Sequence, residues 1–252
     1  MERAEVLPLN GWRAARVADV RAESATARTL VLDVPDWPGH LAGQHLDVRL
    51  TAPDGYQAVR SYSLASAAVP TGRARVEIGV ELLEEGEVSS FLVEEVRPGD
   101  VLEVTGPLGG WFVWRPGTPG PVQLVGGGSG VVPLLSVVRT HAQVPAAPEL
   151  RLLLSVRSPA VAMYRAELLE RAAGQPGFSL DLVWTREVPP GEAARPGRLD
   201  AQRLAAASIP PAQRPLCLVC GPTPFVEHVA ELLVAAGHDS GRIRTERFGS
   251  AR

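Results

Sequence analysis

The sequence predicts two domains of different class: a six-stranded antiparallel β-barrel, then a parallel sheet flanked by helices. Three observations predict it. Over the first hundred or so residues, short alternating segments rich in Val, Leu and Ile are punctuated by Gly, Pro and Asp, the pattern of half-buried antiparallel strands. Beyond residue 121, unbroken apolar runs alternate with helical periodicity, as in a parallel sheet covered on both faces. Between them "GPLGGWFVWRPGTPGP", residues 106–121, loses periodicity and gathers turn formers, which marks a domain boundary. The division falls after residue 113, giving domains of residues 1–113 and 114–252.

The barrel strands are expected over 14–23 ("AARVADVRAE"), 27–34, 44–52, 59–66, 73–83 and 101–106, enough to close a small barrel. A helix interrupts them over 89–96 ("SSFLVEEV"), with Ser89 or Ser90 as its cap and Pro98-Gly99 as its stop. In the second half, strands over 122–126, 150–156, 179–185 and 216–221 alternate with helices over 131–141, 162–173, 199–208 and 225–237. There is no internal repeat and no low-complexity tail.

At 252 residues, 45% hydrophobic and a formal charge of −3, the chain has ample core and no polyanion-binding signature, so no nucleic-acid ligand is expected. No apolar run approaches the roughly 18 residues of a membrane span, and "MERAEVLPLNGWRAARV" lacks the charged head and apolar segment of a secretory signal. The expected location is the cytoplasm. Two cysteines, Cys217 and Cys220, are too few for a four-thiolate iron–sulfur cluster. Their Cys-x-x-Cys spacing lies in an apolar strand-like run, where residues three apart face opposite sides, so buried thiols are favoured over a redox disulfide.

Chemistry concentrates at a few places. "GGGSGVVPLLSVVR", residues 126–139, sits between a predicted strand and a predicted helix, where glycines let backbone approach a pyrophosphate and helix amides favour its charge. It departs from G-x-G-x-x-G, and a merely tight turn would look the same; Pro133 fits in the helix's first turn. The next strand ends in "SVRSP", with Ser155 and Arg157, and another in "WTRE", with Thr185 and Arg186. Arginine without a carboxylate there favours NADPH over NADH, unless these are ordinary solvated side chains. In the barrel, "RSYSL" offers Arg60 for a phosphate, Tyr62 for a flat surface, and Ser61 and Ser63 as donors, with Arg60, Tyr62 and Leu64 on one strand face. "EEGEVSSFL" puts Gly86, Val88 and Ser89 at a helix start, a second phosphate cradle. The histidines His40, His45, His141, His228 and His238 form no metal-spaced cluster and are read as structural; Val131 breaks a G-x-S-x-G nucleophile elbow around Ser129.

Taken in order, "RSYSL", "GEVSSFL", "GPLGGWF", "GGGSGVVP", "CGPTPF" and "ERFG" resemble the motifs of the ferredoxin–NADP reductase superfamily, in particular its bacterial oxygenase-reductase-like members. The resemblance covers nearly the whole chain. It implies an FAD-binding barrel followed by an NAD(P)-binding sheet, and transfer of hydride from NADPH (NADH being the other donor) to FAD, then of single electrons outward. By resemblance, Arg60 contacts the flavin diphosphate, Tyr62 packs on the flavin, Ser63 bonds near N5 and Leu64 belongs to the same segment. Gly86, Val88 and Ser89 match a phosphate-binding segment. Gly127, Ser129 and Gly130 face the nicotinamide nucleotide, Arg157, Thr185 and Arg186 its adenosine phosphate, and Cys220, Gly221 and Pro222 border the nicotinamide. Ser63, Cys220 and Glu246 are the candidate catalytic residues, Glu246 as an acid near the flavin edge or else as an ion-pair partner of Arg247 or Arg244. Phe248 covers the ring.

Phe225 stands where the family's "CGP" segment often has Met, a swap of similarly sized apolar residues. With "SAR" alone after "ERFG" and little before the barrel, no 2Fe–2S domain is expected, so the acceptor is a separate ferredoxin, flavodoxin-like protein or oxygenase component and a monomer is the default. Arg73, Arg75 and Arg97 are candidates for a basic docking patch. The competing readings are a free-flavin reductase and a non-catalytic flavin-binding sensor or subunit.

Overall fold

The computed structural model describes residues 11–83, 86–193 and 195–249, with Arg73 described through its backbone alone. The start of the segment read for a secretory signal, the two glutamates that open "EEGEVSSFL" and the terminal "SAR" lie outside the described residues.

Alternation does its expected work in the first half. Strands β1 (Arg13–Ala22), β2 (Ala27–Trp37), β3 (His45–Thr51), β4 (Gln57–Ser63), β5 (Gly72–Glu81) and β6 (Val101–Leu108) form one antiparallel sheet in the order β4-β3-β6-β1-β2-β5. A bridge from Leu64 to Ile78 brings the β4 and β5 edges together and closes the barrel. Its core takes every second residue, such as Leu30, Leu32 and Val34 of β2 with Val76, Ile78 and Val80 of β5. Helix α1 (Glu87–Ser90) widens into a π turn over Phe91–Glu95, and Val88, Leu92, Val93 and Val96 plug the barrel. The expected serine cap is corrected: the cap position is Gly86, without a side-chain bond, and Ser90 lies inside the helix. Ser89 Oγ instead donates to Gly86 O at 3.0 Å and accepts from Leu83 N at 3.2 Å, which ties the turn together.

The second half is a five-stranded parallel sheet in the order β11-β10-β7-β8-β9, made of β7 (Val122–Gly127), β8 (Leu150–Val156), β9 (Phe178–Trp184), β10 (Leu216–Pro222) and β11 (Ile243–Phe248). Helices α2 (Val131–His141) and α3 (Arg165–Gly174) cover one face, and α4 (Ala201–Ala207) and α5 (Thr223–Ala235) the other. Cys220 is buried under the α2 side and Cys217 under the α5 side, both as free thiols, as the spacing predicts. Asp200 caps α4 by accepting from Arg203 N at 2.8 Å. Two expectations are corrected. Helix α3 begins three residues late, because Tyr164 takes φ 57° and its amide bonds Glu23 Oε2 in the barrel. The four expected strands are joined by a fifth, the edge strand β11, which takes in Glu246, Arg247 and Phe248 of "ERFG".

A polar seam fastens α2 and α3 to the barrel. Arg139 grips Glu167 with Nε and Nη2 at 2.8 and 2.6 Å, and with Nη1 reaches Glu77 Oε2 at 2.7 Å and Ala65 O at 3.0 Å. Ser136 Oγ donates to Ser66 O at 2.6 Å, and Ala68 N donates to Thr140 Oγ1 at 2.9 Å. This seam sets how the two sheets face each other across the clefts described next.

Candidate functional site

Two clefts open at the carboxyl ends of the parallel strands, where ligands of such sheets are received. The first, about 640 Å³, lies between barrel and sheet and brings together Arg60, Tyr62 and Ser63 of β4, Gly86, Val88 and Ser89 at α1, Ser129 of the glycine turn, and Phe248 of β11. Its size is ordinary for a cofactor site. Ser61 lines it too, so both faces of the β4 end reach the rim. Leu64 does not: its side chain is fully buried in the barrel core.

Charge and burial differ along this cleft. At one end Arg60 is exposed, and its Nη1 donates to the neighbouring Val59 O at 2.8 Å, which leaves the rest of the guanidinium open. Tyr62 packs against the barrel core, and burial pushes its hydroxyl up to about 12, so it stays a neutral phenol. At the other end Ser63 Oγ donates to Glu246 Oε1 at 3.3 Å across 183 residues of chain. Burial pushes Glu246 up to about 7, against a smaller opposing pull from that hydrogen bond. The ion-pair reading of Glu246 is therefore corrected: Arg244 donates to Trp111 O and Val113 O, and Arg247 to Thr245 Oγ1. Burial, reinforced by the nearby Glu246 carboxylate, holds the Cys220 thiol well above its usual range.

The glycine turn is shaped by close approach. Gly128 takes φ 57° with open space around it, which favours a residue without a Cβ. A Cβ on Gly130 would strike the Cys220 carbonyl and lie 2.8 Å from Gly221 N. Gly127 and Gly221 face the Phe225 ring, where a Cβ on either would stand 2.7 Å from Cδ1. Of the turn, Ser129 is the side chain that reaches the first cleft, while Gly127 and Gly130 make the packing that presents it.

The second cleft, about 770 Å³, gathers Ser155 near the end of β8 and Arg157 just after it, Thr185 and Arg186 after β9, and Pro222 at the end of β10. The two strand ends are joined, Thr185 N donating to Val156 O at 2.8 Å and Arg186 N to Arg157 O at 3.0 Å. Sequence reading assigned no site role to Arg198, Leu199, Pro224, Phe225 or His228, which complete its walls, the last held by its Nε2 contact with Leu199 O at 3.0 Å. No carboxylate lines the cleft among the described residues. Phe225 belongs to this cleft and to the glycine turn at once, so it stands at the junction between the two.

The residues of the first cleft fit an elongated, anionic, partly flat cofactor. Arg60 supplies an open cation and Tyr62 a flat wall. Gly79 lines it with no side chain, where a Cβ would meet Val132 Cγ2 at 2.6 Å.

Comparison with known proteins agrees with this geometry. The family "oxidoreductase FAD-binding domain" matches residues 14–113, and "oxidoreductase NAD-binding domain" matches residues 124–231. The chain is 34% identical over 226 residues to ferredoxin–NADP reductase B of Sorangium cellulosum, covering 86% of this chain and 89% of that one. It is 30% identical over 241 residues to an NADPH oxidoreductase of Mycobacterium tuberculosis, covering 94% of this chain and 60% of that one. Among solved structures, the FAD/NAD-binding domain of nitric oxide dioxygenase from Vibrio cholerae superimposes with a TM-score of 0.82 at 25% identity, covering 94% of this chain and 99% of that one. The chain spans about 60% of the length of the first curated relatives it matches.

Proposed function

The chain belongs to the ferredoxin–NADP reductase family of FAD- and NAD(P)-dependent oxidoreductases, and on that premise we propose that it takes electrons from NADPH and passes them singly to a separate redox protein. The observation that carries this reading is the first cleft, where Arg60 and Ser63 of the barrel and Ser129 and Phe248 of the sheet domain surround one space of cofactor size, with Glu246 behind it as the acceptor of the Ser63 hydroxyl. When bound, FAD supplies the chemistry of accepting two electrons together and releasing them one at a time.

The chain's own residues bind, orient and hold a proton. Arg60 receives the diphosphate with the open side of its guanidinium, and Tyr62 gives the flavin a flat wall. Gly86, Val88 and Ser89 shape a second phosphate-binding edge, in which Ser89 fixes the turn through its bonds to Gly86 O and Leu83 N. Ser63 and Glu246 form a proton-holding pair whose carboxyl is poised near neutrality, where a general acid is most effective. Cys220 contributes shape: its carbonyl lies under Gly130 and its thiol stays neutral. Arg157, Thr185 and Arg186 receive the adenosine phosphate, which favours NADPH. Pro222, Gly221 and Phe248 border the way to the flavin. The domain division is placed after residue 113, and the acceptor is a ferredoxin or an oxygenase component. A cytoplasmic site of action belongs to the same proposal; no helix among the described residues is long and apolar enough to cross a membrane.

Arg60→Ala tests the assignment. Flavin content after gel filtration is expected to fall by about tenfold, in line with loss of a charge-assisted contact, while the holoprotein that remains is bleached by NADPH at close to the original rate. Full flavin retention in this variant would remove Arg60 from the site. Flavin that neither NADPH nor NADH bleaches, in the parent protein, would remove the reductase reading itself.

A further inference from the structure

The second cleft has one wall to which no role has been given. Arg157 and Arg186 come from the strand ends and Arg198 from the segment before α4, while the remaining wall is α5, whose Phe225 and His228 lie three residues apart on one helix face. Read from the sequence as structural, His228 instead has its ring open to solvent in a cleft whose other charged lining residues, among those described, are all arginines. One contact fixes what this ring can do. Its Nε2 stands 3.0 Å from Leu199 O. A carbonyl oxygen only accepts, so Nε2 carries the hydrogen and the lone pair of the neutral ring sits on Nδ1. Nδ1 has no hydrogen-bond partner among the described residues. The ring therefore gains a proton only at Nδ1, and on gaining it becomes a cation with a second N–H to donate.

The same contact fixes where the ring stands. Leu199 directly follows Arg198, so the bond ties α5 to the stretch that presents this arginine. Arg203 braces that stretch from behind, donating from Nη1 to Arg198 O at 3.1 Å and from Nη2 to Arg195 O at 3.0 Å, and Gly197 N donates to Trp184 O at 2.8 Å. His228 and Arg198 are thus neighbours on one held wall. The nearest carboxylates in the chain are otherwise placed: Asp200 accepts from Arg203 N at the start of α4, and Glu227 and Glu231 of α5 are exposed and line no part of the cleft.

We propose that His228 is a specificity residue for the dinucleotide: it takes a proton from solvent at Nδ1 and donates it in a hydrogen bond to the phosphate that distinguishes NADPH from NADH. Three guanidiniums repel a further positive charge and a phosphate dianion attracts it, so proton and phosphate are taken up together, each favouring the other. The proposal rests on the reading of this cleft as the adenosine-phosphate site. Its consequence is a preference for NADPH that strengthens as pH falls from about 8 to about 6.5, the range in which histidines as a class gain charge. Further into acid, the phosphate itself starts to lose charge, near about pH 6. Glu246, pushed up to about 7 by burial, titrates in the same range, but it lies beside Ser63 and acts on both dinucleotides alike.

The test is steady-state reduction of ferricyanide by the flavin-loaded parent and by His228→Gln, with NADPH and with NADH, at about pH 6.5 and about pH 8. A glutamine amide still donates to Leu199 O but cannot take up a proton, so the wall stays tied while the charge is lost. In the parent, the KM for NADH divided by the KM for NADPH is expected to rise by about fivefold on going from the higher pH to the lower, less than a full charge-assisted bond supplies because the ring is open to water. In His228→Gln the same ratio is expected to stay within about twofold, the KM for NADPH being raised by about fivefold at the lower pH and little at the higher. A parent whose preference for NADPH does not change with pH would overturn the proposal. So would a His228→Gln protein that keeps the parent's change, or one in which the KM for NADH rises as much as that for NADPH. A parent with no preference for NADPH at either pH is a different result: it strikes the reading of the cleft as a phosphate site, and the role of His228 falls with it.

Discussion

Arg139 and Arg157 lie one helix and one strand apart, yet their surroundings are opposite. Arg139 commits its whole guanidinium inside the protein, to Glu167, Glu77 and the Ala65 carbonyl, with 14% of its side chain exposed. Arg157 stands in an open cleft with Arg186 and Arg198, and no carboxylate lines that cleft among the described residues. A guanidinium whose partners are all internal fixes geometry. One that faces a cleft is available to an anion from solution. The protein uses the first kind to lock the seam between its domains and the second kind at the mouth of each cleft, where Arg60 repeats the pattern.

The strongest way to break this contrast is Arg139→Met, which keeps the stem and removes the charge. Losing one partner of a buried ion pair costs about 3–5 kcal/mol. Glu77 would retain Arg21 and Glu167 would retain Arg171, so a loss near the low end, about 3 kcal/mol, is expected. Chemical denaturation checks it, and calorimetry is expected to show the two domains beginning to unfold separately. A loss below about 1 kcal/mol, the value of an exposed pair, would reduce the seam to a surface contact.

A smaller effect separates the buried acid from the buried base. Glu246 is pushed up to about 7 by burial, so between its ordinary range and neutrality the folded protein holds a proton that the unfolded chain has released. Stability therefore falls as pH rises through that window and levels off above it. A tenfold difference in proton affinity between the folded and unfolded chain is worth about 1.4 kcal/mol. Because the residue is only partly buried, so that water screens part of the effect, a realised loss of about 2 kcal/mol is expected. Glu246→Gln cannot ionise, so its stability relative to the parent should climb from about pH 5 to about pH 8. Parallel denaturation curves at both pH values would show that Glu246 titrates normally.

How much of this was legible in the sequence follows the same division. The barrel strands and α2 were readable because alternation, apolar runs and Gly/Pro punctuation are local signals. Strand β11 was not: in "IRTERF" no residue is fully buried, as suits an edge strand, so its pattern is faint. The start of α3 depended on Glu23, 141 residues away in the barrel, and no local propensity reports that. In the site, Arg60, Ser63, Arg157 and Arg186 were found through motifs and strand ends. Arg198 was passed over, and Phe225 and His228 were read as packing and structural residues, because a cleft wall is assembled from segments that share no spacing rule. The serine cap failed for a related reason: Ser89 looked like a helix start but bonds backward to Gly86 O. Gly130 was read as facing the nicotinamide nucleotide, but the Cys220 carbonyl packed against it, which demands a glycine at that junction, comes from a strand ninety residues on and left no local signal.

The finest test of the contrast concerns the open arginines. If Arg157 and Arg186 are surface charges, replacing both with alanine changes little, because neither supports the fold through a carboxylate. If they receive an anion, the effect must depend on that anion. NADPH and NADH differ by one phosphate on the adenosine ribose, so the pair of substrates isolates the interaction. Arg157→Ala with Arg186→Ala is expected to raise the KM for NADPH by about tenfold, equivalent to about 1.4 kcal/mol of lost binding, with kcat nearly unchanged because the contact lies far from the reacting atoms. The KM for NADH should move less than about threefold. An equal rise for both dinucleotides would mean that the arginines hold the cleft's shape and do not read the phosphate. Arg139 would then differ from them only in burial, not in purpose.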